Sequence, residues 1–161
     1  MKLSMIAIVA LALTGCHASG EQAGWRYGAL MAEAGQRFEL IGRAGAAQRF
    51  ELAEFELDEL KELFEQDFPH AEPPRESDGV PLQSMLEAML AGDFPKLKSS
   101  LAARDREAFD KAYGAMASSC YGCHVATGHG YLVVSAVPGT QVFGLAPAEA
   151  GPSTARPVPR N

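Results

Sequence analysis

The chain of 161 residues is poor in the residue types from which most catalytic and metal sites are built. It has only three cysteines and four histidines. It has no Ser-His-Asp set, no glycine loop of the kind that binds phosphate, and no pair of carboxylates in an apolar context. These absences predict that the chain is not an enzyme.

Positive charge is also scarce, because 14 Lys and Arg stand against 20 Asp and Glu, a formal net charge of −6. A negative surface argues against nucleic acid or an anionic membrane surface as a partner, and it would steer a basic protein toward the chain. No apolar run is long enough for a permanent bilayer-spanning helix. The apolar run that follows Lys2 ends at Leu13, and its length matches a secretory signal. We therefore predict an exported protein.

The signal ends in Leu13-Thr14-Gly15-Cys16, which resembles the lipobox of bacterial lipoproteins. The resemblance implies that residues 1–15 are removed, that Cys16 carries the lipid anchor, and that residues 16–24 form a tether. The mature chain would then be held on the periplasmic side of the cell envelope, and the absence of Asp after Cys16 favours the outer membrane. Ordinary signal cleavage near Gly15 or Ala18 is the alternative.

Apolar residues recur at intervals of three and four positions in four segments, which predicts an all-α fold. The first segment covers residues 21–43, where Gly42 and Gly45 are expected to end the helix. The second covers residues 50–68, and a proline-rich loop follows at 69–79.

The third helix is expected to begin near Pro81 and to be kinked or split at residues 92–95, with Asp93 capping its second piece. The fourth is expected to begin at Asp105. We therefore predict an antiparallel four-helix bundle over residues 25–137. The Pro- and Ala-rich tail, residues 138–161, is expected to be disordered.

The fourth helix is expected to carry Cys120-Tyr121-Gly122-Cys123-His124, a C-x-x-C-H motif typical of c-type haem attachment. Two thiols at this spacing lie on one helical face, and each can form a thioether to a haem vinyl group. His124, four residues after Cys120, shares that face and can bind the iron. A thioredoxin-like dithiol would need a βαβ context, and a zinc site would need further ligands. We predict one covalent haem c.

A C-x-x-C-H motif in the last of four helices resembles the class II c-type cytochromes, the cytochrome c′ and cytochrome c-556 group. The segments FDKAYGAMASSCYGCHVATGHGY, residues 109–131, and RFELAEFELDEL, residues 49–60, are similar to exported proteobacterial haem proteins of this type. The resemblance implies thioether attachment at Cys120 and Cys123 and His124 as the proximal iron ligand. Relatives of this class often form homodimers through their first two helices.

The resemblance leaves two alternatives for the sixth iron ligand. In the c-556 branch a methionine of the first helix closes the iron, whereas in the c′ branch an apolar side chain leaves it open to nitric oxide or carbon monoxide. Met31 is the candidate distal ligand, with core packing as its alternative role, and Phe38 is the apolar candidate.

The remaining histidines and methionines receive other roles. His129 is expected in an exposed turn, with contact to the haem edge or a propionate as the alternative. His70 is expected in the proline-rich loop, with a place over the distal face of the haem as the alternative. The remaining methionines of the helices are expected to pack in the core: Met85, Met89 and Met116. Three basic residues flank or lie within the start of the fourth helix: Arg104, Arg106 and Lys111. The sequence does not indicate which of them, if any, contacts a haem propionate.

Together these features favour a periplasmic one-electron carrier that acts on a redox partner protein. A five-coordinate binder of nitric oxide or carbon monoxide is the alternative, and a haem subunit of a larger respiratory complex is a third interpretation.

Overall fold

The computed structural model describes residues 21–137, and in that range the fold is built only of helices. Four α-helices span Glu21–Ala46 (α1), Phe50–Glu62 (α2), Leu82–Ala102 (α3) and Arg106–Ala126 (α4), with no strand among the described residues. Helix α1 packs against α2 and α4, and α3 packs against α4 and α2. The arrangement is compatible with a four-helix bundle, and the prediction of an all-α fold is confirmed.

Several predicted features lie outside the described residues. These are the signal at 1–15, the lipid-bearing Cys16, the first part of the tether and the tail at 138–161. Helix α1 begins at Glu21, so that it includes the last residues of the predicted tether.

Aromatic side chains join α1 to α4 in the core. The ring of Phe38 stacks on the ring of Tyr113, with centroids 4.3 Å apart and planes inclined by 4°. The hydroxyl of Tyr113 donates a hydrogen bond to the carbonyl oxygen of Phe38 at 3.3 Å, so that its polar atom has a partner inside the core. Phe109 and Met116 lie fully buried on the same face of α4.

The first helix ends within the stretch of small residues that the sequence predicts, but three residues later than the predicted limit at residue 43. Helix α1 continues to Ala46, and the turn follows at residues 47–49, where Gln48 has a φ of 56°. A Cβ atom at Gly45 would stand 2.2 Å from Cζ of Phe109. Gly45 therefore allows the ring of Phe109 to approach the backbone of α1.

Helix α2 is followed by two helical turns of other types before the proline-rich loop. Leu63–Asp67 forms a π-helical turn and Phe68–His70 a short 3₁₀ helix, while Arg75–Ser77 forms another 3₁₀ turn within the loop. Phe64 and Phe68 remain buried, with ring centroids 5.1 Å apart. The second helical segment thus extends as far as the sequence pattern predicts, but its last turns are not α-helical.

Helix α3 is one continuous element, so of the two predicted alternatives, a kink or a split at residues 92–95, the split is wrong. Pro95 lies inside it with an exposed side chain. Proline lacks the N–H that would bond to the carbonyl of Ala91. The neighbouring Phe94 and Leu97 are almost fully buried, and their packing holds the helix together. Asp93 does not cap a second piece, since its carboxylate accepts a hydrogen bond from the hydroxyl of Ser119 at 2.6 Å.

Helix α4 begins as the sequence predicts. A carboxylate oxygen of Asp105 accepts a hydrogen bond from the N–H of Ala108 at 3.0 Å, which is the geometry of a helix N-cap. The buried face of α4 then runs through Phe109, Tyr113 and Met116. One turn further along this face lies Cys120.

Candidate functional site

The C-x-x-C-H motif occupies the last two turns of α4, at the edge of a cavity between the helices. Cys120, Cys123 and His124 all border this cavity, whose volume is about 470 Å³. Pockets of ~300–1,000 Å³ are typical of small-molecule and cofactor sites. The remaining wall is almost entirely apolar and draws on all four helices. Its larger apolar side chains are Tyr27, Met31, Phe38, Leu60, Phe64, Phe68, Leu82, Met85, Leu86, Met89 and Val134.

A second cavity of about 470 Å³ adjoins the first and shares part of its wall. The shared residues include Met31, Phe38 and His124, and the second cavity extends outward to the proline-rich loop and to the chain after α4. Together the two cavities give an apolar space on the side of α4 that carries the motif. Such a space suits a large, flat, apolar group attached at Cys120 and Cys123.

The ring of His124 is fixed by a backbone atom. Its Nδ1 lies 2.7 Å from the carbonyl oxygen of Leu132. Because a carbonyl oxygen only accepts, Nδ1 must donate, and the neutral ring then keeps its lone pair on Nε2. Metal-binding histidines commonly have their other ring nitrogen bonded to a carbonyl in this way.

The two thiols of the motif lie in surroundings that oppose ionisation. Burial first, then the nearby Cys123 and Asp93, raises the pKa of Cys120 to about 12. Burial also raises the pKa of Cys123 above its ordinary value. Redox-active dithiols need the opposite shift, because the thiolate is the reactive form. The sulfur of Cys120 lies 3.8 Å from the sulfur of Met89. The thiols of Cys120 and Cys123 are not joined in a disulfide.

Of the four methionines within residues 21–137, three border the first cavity and one does not. Met31 of α1 borders both cavities and is half-buried, at the same apolar space as His124. Met85 and Met89 of α3 also border the first cavity. The sequence predicts only core packing for these two residues. Met116 is fully buried in the core.

The two histidines outside the motif that the structure describes are placed differently. His129 lies half-buried in the turn after α4 and borders the second cavity, with Nδ1 3.1 Å from the hydroxyl oxygen of Thr127. His70 is exposed at the end of its 3₁₀ turn and borders neither cavity.

The basic residues that flank α4 lie at its far end. Arg104 pairs with Glu51, and Arg106 pairs with Asp110 at 2.9 Å. Neither these arginines nor Lys111 borders either of the two cavities described above. At ~1.5 Å per helical residue, Cys120 lies roughly 21 Å along the helix from Arg106, fourteen positions earlier, and roughly 13.5 Å from Lys111, nine positions earlier.

Sequence reasoning did not identify Tyr27, which borders both cavities from α1. Burial, and next the proximity of Cys123, raises the pKa of Tyr27 to about 12. Its ring meets Phe68 edge to face, with centroids 5.0 Å apart. The spacing of four residues between Tyr27 and Met31 was the available signal, since it places both on one face of α1.

No protein-family model, curated protein or solved structure matches this chain. Across residues 21–137 no three Cys, His, Asp or Glu side chains come together as a metal-binding group. Within the same range, no helix has the length and apolar character needed to cross a membrane.

Proposed function

We propose that this chain is a c-type cytochrome of class II, an antiparallel four-helix bundle with one haem c attached on α4, which carries single electrons. One observation supports it above the others. Cys120, Cys123 and His124 border a single apolar cavity, and Nδ1 of His124 is bonded to the carbonyl of Leu132. The motif residues therefore fit a haem in type, spacing and surroundings.

Each residue of the motif has a definite role in this proposal. Cys120 and Cys123 would hold the porphyrin through thioethers, and Nε2 of His124 would bind the iron. When bound, the haem supplies a one-electron change between ferric and ferrous iron. The apolar walls keep water from the site, and a low local polarity disfavours the more highly charged oxidised state.

The same proposal includes a location and a partner. A lipid on Cys16 would hold the protein on the periplasmic side of the envelope, with the outer membrane favoured. The net charge of −6 suits a basic redox partner, since opposite charges increase the rate of encounter. Nucleic acid is not expected to bind.

Covalent haem content tests the proposal. We expect the full chain, produced in a bacterium that attaches haem to exported proteins, to retain haem after denaturation and to take up one electron in a redox titration. Cys120→Ser and Cys123→Ser should each weaken attachment, and the double variant should lose it. Cys16→Ser is the matched control, because it removes a cysteine outside the motif and should keep the haem. An exported wild-type chain without covalent haem contradicts the proposal.

Binding of nitric oxide or carbon monoxide at an open iron is the second candidate function. Phe38 borders the same cavity as His124, and its ring stacks on the ring of Tyr113. The spin state of the iron separates the candidates. The electron carrier predicts a low-spin ferric spectrum with a sulfur-to-iron band that disappears in Met31→Leu and persists in Met85→Leu. A high-spin spectrum that responds to carbon monoxide on reduction favours the gas binder.

A further inference from the structure

The chain that follows α4 folds back over the end of that helix. Residues 127–134, here named the return segment, begin directly after Ala126. Gly128 has a φ of 79°, in the left-handed region that favours glycine. The N–H of His129 then donates to the carbonyl of His124 at 2.7 Å. This reversal of the chain brings Leu132 beside the ring of His124.

The hydrogen bonds of the return segment depend on Thr127, which is buried at the end of α4. Its hydroxyl oxygen lies 3.1 Å from the carbonyl oxygens of both Cys123 and His124. When its single proton is directed to either carbonyl, the oxygen accepts from Nδ1 of His129, which lies 3.1 Å away. The carbonyl of His129 in turn accepts from the N–H of Leu132 at 2.8 Å.

These bonds form a continuous path from the end of the helix to the carbonyl oxygen that bonds to His124. Thr127 fixes His129, His129 fixes Leu132, and the carbonyl of Leu132 accepts from Nδ1 of His124 at 2.7 Å. The motif and the group that orients its histidine are thus joined by local contacts within eight residues.

We propose that the return segment positions the iron ligand, with Thr127 and Gly128 as positioning residues that hold the carbonyl of Leu132 on Nδ1 of His124. The effect on iron rests on the proposed function, whereas the tautomer of His124 is a property of the chain alone. A hydrogen bond donated by Nδ1 raises the basicity of the ring and strengthens its bond to ferric iron. The return segment therefore lowers the reduction potential of the haem protein.

The ring-nitrogen NMR shifts of His124, measured on the full chain labelled with ¹⁵N-histidine, test the positioning role. We expect a single Nδ1–H tautomer in the wild type. In Thr127→Val and Gly128→Ala the shifts should move toward a mixture of tautomers, and Thr127→Ser should restore the wild-type spectrum. Ser118→Ala is the matched control, because it removes a hydroxyl-to-carbonyl bond of 2.9 Å within the same helix, away from the return segment.

The reduction potential of the haem-loaded protein is the second readout. It should shift to more positive values in Thr127→Val and Gly128→Ala and stay at the wild-type value in Ser118→Ala. Wild-type nitrogen shifts in both positioning variants, or a wild-type His124 that carries its proton on Nε2, overturn the proposal. If no haem attaches, the proposed function fails, yet the nitrogen shifts still decide the role of the return segment.

Discussion

At the scale of single residues, the cysteines of the motif are held as neutral thiols. Cys120 packs against Met89 and has a pKa raised to about 12, mainly by burial. Cys123 is less enclosed, and its pKa is raised by burial alone. Thiols in such surroundings are slow nucleophiles near pH 7.

The raised pKa values predict how the thiols of the full chain without haem react with an alkylating reagent. Only the thiolate reacts, so the rate at Cys120 should keep rising with pH up to about pH 12, and Cys123 should react faster than Cys120 at each pH. In guanidinium chloride, where the chain is unfolded, both rates should stop rising just above pH ~8.5, the ordinary pKa of a cysteine thiol. Mass spectrometry of the alkylated peptides measures the two rates. A plateau near neutral pH in the folded chain would indicate a redox dithiol instead.

Gly45 gives a second prediction at this scale. Gly45→Ala should lower the free energy of unfolding by ~1–3 kcal/mol, because the added Cβ would overlap the ring of Phe109. Gly92→Ala is the control: Gly92 also lies within a helix, and a Cβ there meets nothing within 4 Å. It should raise stability by ~0.5–1 kcal/mol through helix propensity. Urea unfolding measures the stability of both variants. Equal changes in the free energy of unfolding would contradict a close contact between residue 45 and the ring of Phe109.

At the scale of elements, the sequence predicts where helices exist better than where they bend or end. The stripe of Phe50, Leu57 and Leu60 and the cap at Asp105 depend on local spacing, and both are found in the structure. The ends of α1 and the continuity of α3 depend instead on partners distant in sequence. Phe109 fills the space at Gly45, and the packing of Phe94 and Leu97 holds α3 together across Pro95.

In the candidate site, too, the sequence reveals what depends on local spacing and misses what depends on distant packing. The motif residues are readable from the sequence because their chemistry and spacing are local. Tyr27 and the carbonyl of Leu132 reach the site only through the packing of α1 and the reversal after α4. A backbone carbonyl carries no residue-type signal, so sequence patterns do not reveal it.

The start of α4 can be tested through its cap. Asp105→Ala should destabilise the protein by about 1 kcal/mol, because the N–H of Ala108 loses its acceptor. Asp105→Asn keeps an oxygen in place and should cost much less. Thermal unfolding followed by circular dichroism distinguishes the two variants. Equal losses in both would show that charge, and not the capping bond, stabilises the helix end.

At the scale of the whole molecule, the bundle encloses an apolar space beside the motif instead of a fully packed centre. Aromatic rings of α1 and α4 stack in the core, Phe38 on Tyr113 and Tyr113 against Phe109, whereas a cavity separates the helices beside Cys120 and His124. In the proposed cytochrome the haem completes this part of the core. Stability should therefore depend on the cofactor.

Removing the attachment points tests that dependence. The double variant Cys120→Ala and Cys123→Ala should keep helical far-ultraviolet dichroism but lose near-ultraviolet dichroism and cooperative unfolding, because the part of the core beside the cavity is then loosely packed. Cys16→Ser should unfold like the wild type. Urea titrations followed by both signals make the comparison. Cooperative, wild-type unfolding of the double variant would show that the helices pack fully without haem.

The covalent state of the motif is the most direct test of the central claim. Lys111 is the last lysine or arginine before the motif. Trypsin therefore releases the motif in a peptide that begins at Ala112. Mass spectrometry of this peptide, from exported protein denatured and treated with an alkylating reagent, should show the added mass of one haem and no alkylated cysteine. A peptide without haem, alkylated at both Cys120 and Cys123, would contradict the account.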